Sequence, residues 1–246
     1  MLSGKNAIIT GSRTGIGLSI LELFASNHCN CWAIVHRVDS SFLKTCAELS
    51  SAFNIWIKPV YVDLSSSDDI KQGMKEILKE KQNIDILVNA AGVVSPSRLF
   101  AMTPMMEIRR VMDVNFFAVL EISQLTCRAM LRQKSGSIIN VASVSAYCGD
   151  TSQLEYATSK AALICATKKM ANELGVNGIR VNAVAPGLTQ TKMLEEFNPD
   201  KLQEMVDSLA LRRLGKPEEI AQVCLFLASD RSSFVTGETI RIDGGG

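Results

Sequence analysis

Histidine is nearly missing from this chain: only His28 and His36, of 246 residues, carry an imidazole. Both stand beside strand-like apolar residues and read as loop or surface side chains, which leaves too few nitrogen donors for a zinc centre. The seven cysteines are odd in number and scattered, Cys29 and Cys31 are the one close pair, and no Cys-x-x-Cys occurs. A disulfide framework is thereby excluded, and reduced thiols in a cytoplasmic compartment are expected. Charge of one sign is lacking too: 26 basic against 25 acidic residues leave a net charge of +1, too little for broad attraction to nucleic acid or an anionic membrane. No apolar run approaches the roughly 20 residues of a membrane helix. With strand-like residues from Asn6 on, a mature start without a secretory signal is expected. Internal repeats, low-complexity tracts and linkers are likewise absent.

What is present is a chain 47% hydrophobic and 21% charged, long enough to bury one substantial core without disulfides or a structural metal. A single domain over 1–246 is expected. Short β-rich apolar runs at 7–10, 31–36, 57–62, 84–89, 137–141, 179–184 and 239–242 alternate with helical spacing near 16–26, 41–53, 68–82, 104–133, 154–175 and 216–229. This alternation predicts right-handed βαβ units, and runs apolar on both faces predict a parallel sheet covered on each side. The fold class is therefore α/β: a Rossmann-type, doubly wound, seven-stranded parallel sheet with helices on both faces. One stretch, 187–215, departs from the rhythm, with a short helical pattern over 200–209. It leaves the carboxyl end of a strand, where ligands of open α/β sheets bind, and is read as a substrate lid.

Directly after the first strand come Gly11, Ser12, Arg13, Thr14, Gly15, Ile16 and Gly17, and then a helix. Glycines let the backbone approach a pyrophosphate closely, and the opening helix offers unpaired N–H groups and its positive dipole end. The strand before and the helix after supply the context that a dinucleotide site requires. Further along, Tyr156 is the one tyrosine with a lysine four residues on, Lys160. On a helix the two side chains share a face. A phenol of ordinary pKa about 10 is a sluggish acid unless a cation stabilises its anion, and Lys160 supplies that cation.

The Gly-x-x-x-Gly-x-Gly spacing, with Asn89-Ala90-Ala91-Gly92 and Tyr156-x-x-x-Lys160 following in order, resembles the short-chain dehydrogenase/reductase family over essentially the whole chain. The resemblance implies adenine contacts at Asp63 and Leu64 and a cofactor-supporting turn at Asn89, Ala90 and Gly92, with Val88 where the family has a first Asn. It implies a catalytic Ser143, preferred over Ser145, to bind the substrate oxygen and orient Tyr156. It gives Lys160 a second task on the nicotinamide ribose and gives Asn115 the task of kinking its helix and placing a water that leads to Lys160. Pro186, Gly187, Thr189 and Thr191 resemble the segment that clasps the carboxamide. The C-terminal strand resembles one that packs across a tetramer, so a homotetramer is implied.

The second strand ends in Val35-His36-Arg37 without the acidic residue that grips ribose hydroxyls in NAD-preferring members. Arg37 and Arg13 offer two forked donors to a 2′-phosphate, and NADP(H) is the expected cofactor. Within the family the motifs resemble most the bacterial 3-oxoacyl-(acyl-carrier-protein) reductases. An acyl thioester is then the expected substrate and acyl carrier protein a candidate partner, with Lys134 at one docking position but Asn177 at the other and Thr14 where Arg is common. Substrate choice lies in 93–100, 145–153 and the lid, where Tyr147, Leu154 and Met193 are candidate pocket residues. Two alternatives stand beside this reading: a short-chain alcohol, sugar or hydroxy-acid dehydrogenase with the same machinery, and a non-catalytic cofactor sensor or structural subunit, which intact Ser, Tyr and Lys argue against.

Overall fold

The computed structural model describes residues 1–37, 39–194 and 198–246. Seven parallel strands form one sheet: β1 (Asn6–Thr10), β2 (Asn30–Val35), β3 (Ile57–Tyr61), β4 (Ile86–Asn89), β5 (Gly136–Val141), β6 (Ile179–Pro186) and β7 (Thr239–Ile242), in the order β3-β2-β1-β4-β5-β6-β7. Chain direction across the sheet reverses between β1 and β4, the crevice where doubly wound sheets bind ligands.

Every residue of β1 and β4 is buried, because helices cover both faces. Ala7 and Ile9 face one layer, packed with Ile20, Phe24 and Leu225 of α1 (Gly15–Ser26) and α8 (Pro217–Ala228). Ile8, between them, faces the opposite layer with Met74 and Ile122 of α3 (Ser67–Lys79) and α5 (Ala118–Gln133). The period-two alternation of the strand thus feeds two cores. Each fully buried aliphatic side chain contributes about 1.5–3 kcal/mol, so truncating Ile8 to Ala costs about 2–5 kcal/mol.

The expected seven strands and their order of appearance are present, with ends shifted by one or two residues. The helix expected over 104–133 is instead three pieces: α4 (Met105–Met112), a π-helical turn (Asp113–Phe117) and α5. A π turn is a local insertion, common where a helix is bent to aim a side chain, and Asn115 lies within it. α2 (Ser40–Phe53), α6 (Leu154–Leu174) and α7 (Pro199–Ser208) complete the helices. α7 starts as its sequence suggests, with Asn198 accepting from the backbone N–H groups of Asp200 and Lys201 and proline in the first turn. The 187–215 excursion is closed at its base, where Gln190 N donates to Gly215 O at 2.9 Å and Gly215 N to Leu188 O at 2.9 Å.

Candidate active site

The first part of the site is the turn after β1. Thr10 Oγ1 accepts from the backbone N–H groups of Ala90 and Ala91, both at 3.0 Å, and so ties this turn to the one after β4. Gly11 passes so close that a Cβ there would lie 2.8 Å from Ala91 Cα, and its φ is +70°. Only glycine fits. No side chain caps α1, so the N–H groups of Gly15, Ile16 and Gly17 have neither an intrahelical partner nor a capping oxygen and sit at the positive end of the helix dipole. An anionic pyrophosphate suits this cradle.

Two side chains in the turn are already committed within the protein. The Ser12 hydroxyl donates inward to Ile9 O at 2.7 Å and is fully buried, so it stiffens the turn and presents no hydroxyl to a ligand. Arg13 is not a free forked donor: its Nη1 lies 3.0 Å from Asp39 Oδ2. The other Asp39 oxygen caps α2, accepting from the N–H groups of Ser41 and Phe42. The Ser41 hydroxyl, and Arg13 after it, hold the Asp39 carboxyl well below the usual range. Thus an acidic residue does stand near the β2 end, two positions past Arg37. Its signal was the Asp-Ser-Ser helix start, a strong N-cap pattern. Arg37 itself lies exposed just beyond β2, with no ion-pair partner among the described residues. Asp63 holds the turn after β3 by accepting from Ser65 N at 2.9 Å, and Leu64 is half-buried beside it.

The Asn89 side chain is committed to a buried network. Its Nδ2 donates to Asn140 Oδ1 at 2.9 Å and to Ser123 Oγ at 3.2 Å, and Asn140 Nδ2 continues to Thr167 Oγ1 at 2.9 Å. This buried chain holds β4, β5, α5 and α6 together beneath the turn. Asn140 and Thr167 carry no motif and were legible only as strand and helix residues.

The second part lies at the ends of β4 and β5 and on α6. Ser143, just past β5, presents its hydroxyl to the phenol of Tyr156 as a hydrogen-bond partner and accepts from Ser145 N at 3.2 Å. Burial pushes the Tyr156 phenol above its ordinary value, and the Ser143 contact offsets part of that. Lys160 is 4% exposed. Its Nζ donates to Val141 O at 2.9 Å and sits 5.7 Å from the Tyr156 ring centroid. Burial lowers its pKa from 10.5 to about 8. Asn115 grips the loop after β4 by both ends of its amide, accepting from Val93 N at 2.8 Å and donating to Val93 O at 2.9 Å and to Ser159 Oγ at 3.2 Å. Gly92 separates the pair: a Cβ there would lie 3.3 Å from Lys160 Nζ and 3.5 Å from Asn115 Oδ1. Ser143, Tyr156, Lys160, Asn115 and Gly92 are therefore brought together, with a phenol, a hydroxyl and a buried amine in one place.

Beyond β6, Gly187 N donates to Ile242 O at 3.0 Å and Thr189 Oγ1 to Gly187 O at 3.0 Å. Thr191 reaches the glycine turn, its Cγ2 3.3 Å from where a Gly15 Cβ would stand. The segment from Pro186 to Thr191 thus runs from the end of β6 to the glycine turn. Tyr147 and Leu154 are exposed, whereas the side chain of Met193 lies outside the described residues.

Residues 11–246 match the family model described as enoyl-(acyl carrier protein) reductase. The chain is 39% identical to the 3-oxoacyl-(acyl-carrier-protein) reductase FabG of Thermotoga maritima, over 99% of this chain and 98% of that one. It belongs to the short-chain dehydrogenase/reductase family. Another relative, the 3alpha-hydroxysteroid dehydrogenase of Mediterraneibacter gnavus, is 35% identical over 99% of this chain and 97% of its own. A solved short-chain type dehydrogenase/reductase from Mycobacterium marinum superposes with a TM-score of 0.90 at 34% identity, covering 99% and 95% of the two chains. As a short-chain dehydrogenase/reductase the protein is an oxidoreductase of CH–OH and C=O groups. Among the described residues no helix is long and apolar enough to cross a membrane.

Proposed function

We propose that this short-chain dehydrogenase/reductase reduces a carbonyl, with NADPH preferred over NADH and a 3-oxoacyl thioester as substrate. The observation that carries the reading is the buried Lys160 ammonium, 5.7 Å from the ring of a Tyr156 whose phenol meets Ser143. When bound, the dinucleotide supplies the hydride. The α1 start and glycine turn would hold its pyrophosphate, Asp63 and Leu64 its adenine, Ala90 and Gly92 the middle of the molecule, and Pro186, Gly187, Thr189 and Thr191 its carboxamide end. Tyr156 gives its proton to the oxygen of the reduced carbonyl, Ser143 holds that oxygen, and Lys160 stabilises the phenolate left behind. Asn115 keeps the loop after β4 in place beside Lys160.

The preference for the 2′-phosphate is supported by Arg37, uncommitted at the β2 end. Arg13 supports it less, because its Nη1 is already paired with Asp39. The thioester is supported by the name of the T. maritima relative, and would place the enzyme in cytoplasmic fatty acid biosynthesis. The carbonyl of Lys134 lies against Gly178, the residue after Asn177. One of the two docking cations is nevertheless replaced by a neutral amide. Residues 187–215, pinned at their base, serve as the lid, and a homotetramer is the assembly we infer. The hydroxysteroid relative favours a second reading, a dehydrogenase of secondary alcohols using the same groups. An idle cofactor-binding protein fits poorly with a complete and convergent constellation.

Purified protein is given NADPH, and separately NADH, with an acetoacetyl thioester and with a panel of ketones, sugars and a 3-ketosteroid, and absorbance of the reduced nicotinamide is followed. Oxidation of NADPH by the thioester supports the proposal. Turnover confined to another carbonyl keeps the mechanism and refutes the substrate, and a faster reaction with NADH refutes the preference.

A further inference from the structure

One residue before Tyr156 stands Glu155, in the first turn of α6 and only 1% exposed. Among the described residues no cation lies within ion-pair distance of it. One carboxylate oxygen accepts from the hydroxyl of Ser95, itself 3% exposed, and the other is buried without a partner. A carboxyl group in such a place costs several kcal/mol unless something offsets it; the α6 dipole and Ser95 are the two favourable interactions the fold supplies. Hydrophobic residues would fill the position more cheaply.

The backbone just before it is costly as well. Ser152 and Gln153 are consecutive non-glycine residues in the left-handed region, at φ 78° and 53°, each carrying about 1–2 kcal/mol of strain. Ser152 Oγ is bonded to Ser97 Oγ at 2.8 Å. The loop after β4 is therefore fastened to the start of α6 at three points: Val93 through Asn115 and Ser159, Ser95 through Glu155, and Ser97 through Ser152. The first belongs to the machinery already described. The other two involve none of the residues proposed to hold the cofactor or move the proton.

We propose that Glu155 and Ser95 are a positioning pair. The Ser95–Glu155 hydrogen bond locks the start of the catalytic helix to the substrate loop, and thereby fixes where the Tyr156 phenol stands relative to a carbonyl held beneath that loop. The inference rests on Tyr156 being the proton donor. It does not depend on which carbonyl is reduced.

The test uses four full-length variants, S95A, E155Q, E155L and S95A/E155L, each saturated with NADPH. Hydrogen–deuterium exchange read by mass spectrometry is the first measurement. Loosening the clamp should speed exchange of both 93–98 and 152–156 by about tenfold in S95A, although only one of these segments carries the change, while β1 stays protected. Exchange that rises only around residue 95 overturns the proposal. Turnover is measured with whichever carbonyl of the panel the wild type reduces fastest. S95A and E155L should lose about tenfold in kcat with the NADPH Kd held within twofold, E155Q should retain most of kcat because its amide oxygen still accepts the Ser95 hydroxyl, and the double variant should be no worse than E155L. Wild-type kcat in S95A, a loss in E155Q equal to that in E155L, or losses that multiply in the double variant overturn the pairing. S95A removes a single oxygen and carries the test should E155L fold poorly. Full activity in Y156F would instead sink the proton-donor reading and leave the exchange result standing on its own.

Discussion

Lys160→Met should change the stability of the cofactor-free protein in a way that depends on pH. The Lys160 ammonium is buried, with the Val141 carbonyl as its hydrogen-bond partner, and burial lowers its pKa from 10.5 to about 8. At about 1.4 kcal/mol per pH unit, that fall is a cost of roughly 3 kcal/mol carried by the folded state below pH 8. Methionine fills similar space without the charge but gives up the bond to Val141 O, worth about 1.5–3 kcal/mol. Near neutrality the variant should therefore be as stable as the wild type or more stable by about 1 kcal/mol. Above the folded-state pKa, the native lysine is neutral while the unfolded chain still binds the proton, so wild-type stability climbs relative to the variant until about pH 10.5. Between pH 8 and about 9.5 the difference should move by roughly 2 kcal/mol in favour of the wild type. The thiols of Cys46, Cys127 and Cys224, pushed up by burial to about 11, 11 and 12, work in the opposite direction but are common to both proteins and cancel in the difference. Urea unfolding of the two proteins at stepped pH measures it. A difference that stays flat from pH 7 to about 9.5 would refute the placement of a buried, strained ammonium at this site.

Three further outcomes follow from the cofactor end. Arg37→Ala should raise the Kd for NADPH about tenfold or more with little change for NADH, since one charge-assisted contact is at stake; equal losses for both would remove Arg37 from the 2′-phosphate site. Asp39→Asn frees Arg13 while an amide oxygen can still cap α2, so the ratio of NADPH to NADH affinity should rise severalfold by fluorescence titration, and an unchanged ratio would mean that the ion pair has no bearing on selectivity. Gly11→Ala places a Cβ 2.8 Å from Ala91 Cα at a φ of +70°, so a loss of about 2 kcal/mol or more is expected in thermal unfolding together with loss of cofactor binding. Retention of both would contradict the close approach of the two turns.

The strands were legible because a parallel sheet covered on both faces leaves nearly continuous apolar runs, as in Ile86 to Asn89, and the glycine turn was legible because its steric demand is local. Tyr156 and Lys160 could be paired from helical spacing alone, but Ser143 and Asn115 came from family resemblance, since nothing in a serine after a strand announces a partner thirteen residues away. Long-range partnerships were hidden. Arg13 reads as a free cation until Asp39 is folded against it, and the reach of the Asn89 amide to Asn140, and through it to Thr167, shows only in the fold. The break in the 104–133 helix was obscured for a different reason: a π turn inserts one residue without disturbing the local apolar composition on which helical periodicity depends.

The most direct test of the mechanism is turnover by Tyr156→Phe alongside its NADPH affinity. With the fastest carbonyl of the panel, removal of the phenolic oxygen should lower kcat by about a thousandfold or more, while the NADPH Kd stays within severalfold of wild type, because the cradle at the α1 start is untouched. Activity retained within about tenfold would contradict Tyr156 as the proton donor, whatever substrate the enzyme proves to use.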